Sequence, residues 1–207
     1  IAEKSSKNKK SKWYGMTPEA IKEAWKNESD RAITLGTWYH NQRESDILDC
    51  DTINRDGFDL KIIKSVEVDG LKTAPNQKLQ DGIYPEHLVY LKSGGICGQA
   101  DRVEVVNGFV NVYDYKTNKE IKMSNSYGNK YLKPISHLDE CEMNTYSLQL
   151  GLYKHIIEKN TNLKIGDSYL IWINENSDNY KVYKCKDLQA ELKLMIEHYE
   201  NTKSKKG

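Results

Sequence analysis

The chain has 207 residues, of which 38% are hydrophobic and 29% are charged, and its formal net charge is +1. This length is enough for one domain with a buried core, and the composition is that of a soluble globular protein. No apolar run approaches the roughly 18 residues that a membrane span needs. The N-terminal residues lack the apolar segment of a secretory signal. We therefore expect no membrane partner and a cytoplasmic location.

Lysine residues are concentrated at both ends of the chain. Five lie within the first twelve residues and three within the last five. We therefore predict a flexible lysine-rich arm over residues 1–16, a single domain over 17–203 and a tail over 204–207. The end lysines have two interpretations. They belong to solvated, frayed tails, or they make loose contacts with phosphate groups.

The cysteines are too far apart in the sequence to form a CxxC-type metal site. We therefore expect no zinc site or iron–sulfur cluster, and reduced thiols that serve mainly in packing. The four residues are Cys50, Cys97, Cys141 and Cys185. No GxxxxGK segment follows a predicted strand, so we also expect no ATP site.

The N-terminal part of the chain is predicted to be helical. Thr17 is a favourable N-cap, and Pro18 suits the first helical position. The buried stripe of this helix should contain Ile21, Ala24 and Trp25. A second helix is predicted over residues 30–48. Within residues 50–82, alternating apolar residues indicate one or two strands.

The clearest pattern is a β-meander. Alternating apolar residues predict strands over 83–91, 96–106 and 109–117. Asn107-Gly108 separates the last two strands. Asn-Gly between alternating apolar runs is the strongest short-range signal for a β-hairpin. The sequence therefore predicts three consecutive antiparallel strands.

The remaining elements complete an α+β fold. A loop, a long helix and two strands are predicted at 119–135, 138–159, 168–174 and 179–185. Ser136 or Asp139 would cap the long helix. A last amphipathic helix starts near Asp187, and its inward residues should be Leu188, Leu192, Leu194, Met195 and Ile196. This order of elements predicts a mixed sheet flanked by helices.

The Asn107-Gly108 turn also predicts which residues face each other. With a two-residue turn, counting outward along the hairpin brings Asp101 opposite Asp114. Lys116 lies two residues beyond Asp114 and therefore points to the same face. Four valines share this face: Val103, Val105, Val110 and Val112.

Two facing carboxylates carry an energetic cost. Opposed side chains have Cβ atoms about 4.5–5.5 Å apart, where like charges repel, and an apolar stripe makes ionised groups costlier still. A divalent cation would relieve this cost, because two carboxylates at that separation are natural oxygen ligands for Mg²⁺. Lys116 could then act on an attacking water or on a phosphate. The alternative is an ordinary strand pair in which Asp101 bridges Arg102 or Lys116 at a solvated edge.

Two segments of this hairpin resemble the motifs of a known family. Gly98-Gln99-Ala100-Asp101-Arg102-Val103 and Val112-Tyr113-Asp114-Tyr115-Lys116-Thr117 resemble the GxxDR and DYKT motifs of the PD-(D/E)XK nuclease superfamily. The similarity is greatest to its RecB-like exonuclease branch. It implies a restriction-endonuclease-like core. It also implies a metal-dependent deoxyribonuclease, an exonuclease acting on single strands or DNA ends in replication, recombination or repair.

Three further positions match that branch, and each has a plainer interpretation. Gly36-Thr37-Trp38-Tyr39-His40 matches an early helix with a metal-binding histidine, although His40 could simply pack beside its aromatic neighbours. Glu86 matches a glutamate on the strand before GxxD, or is an ordinary strand carboxylate. Gln149 and Tyr153 match a QxxxY signature that borders the DNA cleft, or pack at the edge of the core.

The resemblance implies a division of roles. One Mg²⁺ or Mn²⁺ would be held by His40, Asp101, Asp114 and the backbone carbonyl of Tyr115. Lys116 would position the attacking water or stabilise the phosphate, and Glu86 would orient waters or support a second metal. Contacts with DNA would be made by Thr117, Gln149 and Tyr153.

The sequence lacks the cysteine quartet that holds an iron–sulfur cluster in some relatives, and it lacks a helicase segment. The resemblance therefore implies a stand-alone nuclease, or one whose partner is a separate helicase or recombination protein. The Asn- and Lys-rich composition indicates an AT-rich genome, in a bacterium or a phage-infected cell. The alternatives are a structure-specific endonuclease, a non-catalytic nuclease-fold module that binds nucleic acid, and an interaction protein with a chance motif match.

Overall fold

The structure is a computed structural model that describes residues 1–68, 71–73, 78–174 and 179–204. The chain divides into two compact units, Ile1–Asn41 and Gln42–Gly207. The predicted division into an arm, a single domain and a tail stays a prediction. Most of that tail, residues 205–207, lies outside the described residues.

The first unit contains a short helix that the sequence pattern does not predict. Helix α1 spans Ala2–Lys7 within the predicted lysine-rich arm, and the side chain of Ala2 is buried. The Ser6 hydroxyl donates a 2.7 Å hydrogen bond to the carbonyl of Met16, and the Gly15 N–H donates to the carbonyl of Ser6 at 3.0 Å. These contacts between residues about ten apart give the segment a structure that local composition does not reveal.

One long helix replaces the two that were predicted between residues 17 and 48. Helix α2 spans Pro18–Leu48. Its start is as predicted, because the Thr17 hydroxyl accepts a hydrogen bond from the N–H of Ala20 at 3.2 Å. Ile21 is fully buried, whereas Ala32 is exposed. The polar residues near position 30 do not interrupt the helix, because none is a proline and such residues cost only tenths of a kcal/mol in a helix interior.

Two small hairpins follow α2 in the second unit. Strand β1 (Thr52–Arg55) pairs with β2 (Phe58–Lys61), and β3 (Val66–Val68) pairs with β4 (Leu71–Thr73). The first hairpin turns at Asp56-Gly57, whose φ angles are 48° and 89°. Strands are present in this region as predicted, but there are four short ones rather than one or two, and Asp-Gly is itself a hairpin turn signal.

The central sheet has five strands in the order β5-β6-β7-β8-β9. These are Gly82–Leu91, Ile96–Val106, Phe109–Lys116, Lys164–Ile173 and Tyr180–Lys184. Strands β5, β6 and β7 form the predicted antiparallel meander, and β7 pairs with β8 in parallel. A parallel pair needs a crossover, which helix α3 (Glu142–Asn160) provides. The predicted mixed sheet is therefore confirmed.

The ends of the last two helices differ from the predictions. Helix α3 begins at Glu142, four residues later than predicted, with Cys141 as its N-cap. Asp139 instead pairs with Lys130 at 2.5 Å. Helix α4 spans Gln189–Ser204. Leu188, the residue before this helix, and Leu192 are buried as predicted, whereas Leu194 and Met195 are 43% and 37% exposed.

The core lies between the sheet and α3. The four predicted valines of the hairpin are fully buried in one cluster with the α3 residues Leu150, Ile156 and Ile157. The apolar stripe of one sheet face therefore packs on the crossover helix, which fixes the direction in which neighbouring side chains of that face point. All four cysteine thiols are free. None of the described helices is long and apolar enough to cross a membrane.

Leu150 provides a test of this core. The side chain is fully buried on α3, so Leu150→Ala should lower the free energy of unfolding by about 2–5 kcal/mol through lost burial and a residual cavity. Urea unfolding measures the change. Leu132→Ala is the matched control, because Leu132 is 87% exposed and its truncation should change stability by less than about 0.5 kcal/mol. Equal losses in both variants would contradict the assigned core.

Candidate active site

The register of the β6–β7 hairpin is the one predicted from its two-residue turn, as far as the edge of the site. The ladder runs from Val106–Phe109 to Arg102–Tyr113. It ends one pair short of Asp101 and Asp114, so these two residues do not form the predicted facing pair. The Asp101 carboxylate instead accepts a hydrogen bond from the backbone N–H of Tyr115 at 2.7 Å. The Asp101 side chain thus accepts the Tyr115 N–H, which a backbone carbonyl of β6 would accept if the ladder continued. This hydrogen bond anchors Asp101 beside Asp114 and Lys116.

Lys116 forms an ion pair within its own strand. Its ammonium lies 2.5 Å from the carboxylate of Asp114, and the two side chains are only 17% and 6% exposed. Burial lowers the pKa of Lys116, but the carboxylates of Asp114 and Asp101 outweigh burial and raise that pKa above its usual value. Lys116 is therefore a fixed positive charge near two acidic groups.

An aromatic ring from α3 covers the same ammonium. The Lys116 nitrogen lies 4.6 Å from the ring centroid of Tyr146, within the range of a cation–π interaction. The Tyr146 hydroxyl accepts a 2.8 Å hydrogen bond from the amide of Asn118, and the Asn118 carbonyl accepts one from the indole of Trp172 at 2.7 Å. These contacts connect β7, α3 and β8 and hold the lysine in place. Thr117, which follows Lys116 in the sequence, is half-buried.

Glu86 lies on β5 in an unusual backbone conformation. Its φ is 47°, in the left-handed region that residues with a side chain rarely adopt, and such residues cluster at functional sites. The ladder pairs Pro85–Arg102 and His87–Ala100 flank it. The Glu86 carboxylate accepts a 2.7 Å hydrogen bond from Gln99. Burial lowers the pKa of the neighbouring His87 to about 4, so this imidazole is neutral at neutral pH.

Glu86 and Asp101 form a pair of candidate metal ligands. They offer carboxylate oxygens within 4.8 Å of each other. Two like charges at this distance repel, and Mg²⁺ prefers oxygen ligands of this kind, so the donor chemistry fits a hard divalent cation. Asp114, by contrast, is engaged with Lys116. His40 lies on α2 in the first unit, and its role as a metal ligand stays a prediction.

Arg102 was named in the motif, but its role was missed. It is buried on the sheet face opposite the valines, where it lies 3.3 Å from Glu104 and stacks at 3.9 Å on Tyr113. It also donates a 3.3 Å hydrogen bond to the hydroxyl of Tyr115. Arg55 of β1 reaches the same Glu104 carboxylate at 3.0 Å. This network holds the side chain of Tyr115 on the sheet face opposite the valines. Tyr113 lies on the same face and therefore points away from Asp114, as the alternation of side chains along a strand predicts.

The QxxxY and GxxD segments are in direct contact. The Gln149 amide donates a 3.0 Å hydrogen bond to the hydroxyl of Tyr153, and the ring of Tyr153 lies over Gly98. A Cβ atom on Gly98 would lie only 2.5 Å from a ring carbon of Tyr153. Glycine is therefore required here for helix α3 to approach β6. The predicted DNA contacts of Gln149 and Tyr153 remain predictions.

The five-stranded mixed sheet thus carries acidic residues and a lysine on adjacent strands. The sequence profile of the PD-(D/E)XK nuclease superfamily matches residues 17–205, and the chain belongs to this superfamily. No curated protein matches the sequence.

One similar solved structure comes from Eubacterium rectale, where the protein is described provisionally as an exonuclease. It is 19% identical, with 55% of this chain and 41% of that chain covered and a TM-score of 0.36. This chain therefore spans less than half the length of that protein.

Gly98→Ala tests the contact between the two motifs. The added methyl group should clash with the ring of Tyr153 and lower the free energy of unfolding by about 1–3 kcal/mol. Tyr153→Leu removes the clashing ring atoms, so the double variant should lose less stability than the sum of the single losses. Chemical denaturation of all four proteins measures this coupling. Additive losses, within about 0.5 kcal/mol, would mean that the two residues do not limit each other.

Proposed function

We propose that this chain is a metal-dependent deoxyribonuclease that hydrolyses phosphodiester bonds, and that it acts as an exonuclease on single strands or DNA ends. Superfamily membership supports a nuclease and a nucleic-acid substrate. The observation that carries the proposal is the arrangement of Lys116 beside Asp114, with Asp101 and Glu86 nearby. A cation, carboxylate ligands and a buried position are what hydrolysis of a phosphodiester requires.

Each residue has a role that follows from its contacts. The Lys116 ammonium is held by Asp114 and the ring of Tyr146, so it can stabilise negative charge on a phosphate without reorganising. Asp101 is fixed by the N–H of Tyr115, which sets the position of its second oxygen. Glu86 would orient a water or share a metal, consistent with its distance from Asp101.

The metal would be Mg²⁺ or Mn²⁺, because the ligands are hard oxygen donors. When bound, it would supply charge for the phosphate and lower the pKa of a bound water. We propose as its ligands Asp101, Asp114, the Tyr115 carbonyl and His40. Glu86 would be a further carboxylate ligand. His40 rests on the sequence resemblance alone, and His40→Ala should weaken metal binding if the assignment is correct.

Cleavage of a linear DNA substrate tests the mechanism. Activity should require Mg²⁺, should disappear with a chelator, and should fall about 10²–10³-fold in Lys116→Ala, because one charge-stabilising group is lost. Lys159→Ala removes an exposed lysine at the far end of α3 and should leave activity unchanged. Equal activity in the three conditions, namely Mg²⁺, chelator and Lys116→Ala, would refute the mechanism.

Titration calorimetry separates metal binding from catalysis. Asp101→Asn keeps an oxygen that can accept the Tyr115 N–H but removes the negative charge, so it should weaken Mn²⁺ binding while preserving stability. Unchanged affinity would remove Asp101 from the ligands.

An endonuclease would use the same core, so topology of the substrate must distinguish the two activities. We expect circular single-stranded DNA to remain intact while the same strand, once linearised, is degraded from an end. Gel electrophoresis of both substrates in parallel reads out the difference. Cleavage of the circle at a comparable rate would favour the structure-specific endonuclease.

A non-catalytic nuclease-fold module is the remaining alternative. Such a module has no need to keep a lysine and two acids in contact, whereas Lys116, Asp114 and Asp101 interact in this structure. A cytoplasmic role in DNA recombination or repair, with a separate helicase or recombination protein as partner, is part of the same proposal. RNA substrates assayed beside DNA would define the preferred nucleic acid.

A further inference from the structure

A cavity lies beside the catalytic lysine. It has a volume of about 540 Å³ and is formed by the loop before α3 and the first turns of α3. We refer to it as the loop cavity. The lining residues that matter for its chemistry are Lys122, Asn125, Tyr127, Glu140, Glu142 and Tyr146. This volume lies within the usual range for small-ligand sites.

The lining of the loop cavity suits a nucleobase better than a phosphate. Lys122 lies 3.4 Å from Glu142, so the cation is neutralised within the cavity, and Glu140 adds a further negative charge. A phosphate would be repelled by this excess of acid. Aromatic faces, amides and carboxylates are the groups that stack on bases and accept hydrogen bonds from their amino groups.

Tyr146 connects the loop cavity to the proposed catalytic centre. Its ring covers the Lys116 ammonium at 4.6 Å, and the same residue lines the cavity. A nucleotide whose phosphate is bound at Lys116 would therefore have a base-sized space one side chain away. With the proposed metal ion bound beside Lys116, positive charge would hold the phosphate there, whereas the acidic groups of the loop cavity would disfavour it.

We propose that the loop cavity binds an unpaired nucleobase of the substrate strand, next to the phosphate held at Lys116. This inference rests on the proposed nuclease function and narrows its substrate to nucleic acid with an unpaired base: a single strand, an overhang or a frayed end. A base in an intact duplex is stacked and paired, and it cannot enter without the cost of opening the helix.

Tyr127 is the residue best suited to stack on that base. It is 90% exposed, so its ring is available. Its backbone is nevertheless fixed, because its N–H donates to the side chain of Asn125 at 2.9 Å and the amide of Asn125 donates to the carbonyl of Glu140 at 2.7 Å. The loop thus holds the tyrosine at the cavity without burying it, and its removal should not affect folding.

Binding of short oligonucleotides tests the proposal. Fluorescence anisotropy measures the binding of a single-stranded oligonucleotide and of a blunt hairpin duplex. Ca²⁺ replaces Mg²⁺, so that binding is measured separately from cleavage. Tyr127→Ala should weaken binding of the single strand roughly 5- to 100-fold, the loss expected for one stacked base, and should change binding of the duplex less. Tyr127→Phe keeps the ring and should bind like the unmodified protein.

The control is Tyr180→Ala, which removes another exposed tyrosine, 65% exposed on β9. It should bind both substrates normally. An oligonucleotide with 2-aminopurine at its end adds a spectroscopic test, because the emission of this base falls on stacking and should recover in Tyr127→Ala.

Three outcomes would overturn the proposal. Normal single-strand binding by Tyr127→Ala, or an equal loss in Tyr180→Ala, would remove the loop cavity while leaving metal-dependent cleavage intact. A protein that neither binds nor cleaves DNA would overturn the proposed function together with the cavity. The cleavage assay with Mg²⁺ therefore distinguishes the two failures.

Discussion

The register of the β6–β7 hairpin is the constraint on which the rest of the structure depends. Its turn, Asn107-Gly108, has φ angles of 51° and 77°, and the carboxylate of Asp81 accepts hydrogen bonds from both turn amides at 3.1 and 3.5 Å. A slip of one residue would turn every side chain to the other face. The buried valines would then leave the core, and Asp114 and Lys116 would leave the side of α3.

Both faces of this hairpin carry buried charge, and each face compensates it differently. On the face away from α3, Arg102 and Arg55 both pair with Glu104, and Arg102 also donates a hydrogen bond to the hydroxyl of Tyr115. At the end of the other face, Lys116 is near two carboxylates, Asp114 and Asp101, and Glu86 brings a third acid near Asp101. Acidic groups thus outnumber the cation there. In the proposed function, a bound divalent cation would correct this imbalance.

Patterns confined to one element allowed much of the fold to be predicted. Strict alternation and the Asn-Gly turn identified the three-strand meander, and Thr17-Pro18 identified the start of α2. The predictions failed where distant residues decide the outcome. Ser6 of helix α1 bonds to Met16, and Asp139, a predicted cap of α3, pairs with Lys130 while the helix begins at Glu142. Helical periodicity placed Leu194 and Met195 on the inward face, but it does not show which neighbouring elements are present to cover them. Both residues are exposed.

The sequence by itself determined which residues share the face that carries Asp114 and Lys116, because side-chain direction in a strand follows from parity and a two-residue turn. It also singled out Asp101, Asp114 and Lys116 through the motifs that they form. Only the tertiary structure decided how these groups meet. Asp101 accepts a hydrogen bond from the backbone of β7, the β6–β7 ladder ends before Asp114, and Glu86 itself adopts a left-handed backbone conformation. The contact of Tyr153 with Gly98 and the ring of Tyr146 over Lys116 likewise needed α3 to be packed on the sheet. These two contacts join residues 55 and 30 positions apart, and their geometry depends on the packing of several elements at once, which no local pattern encodes.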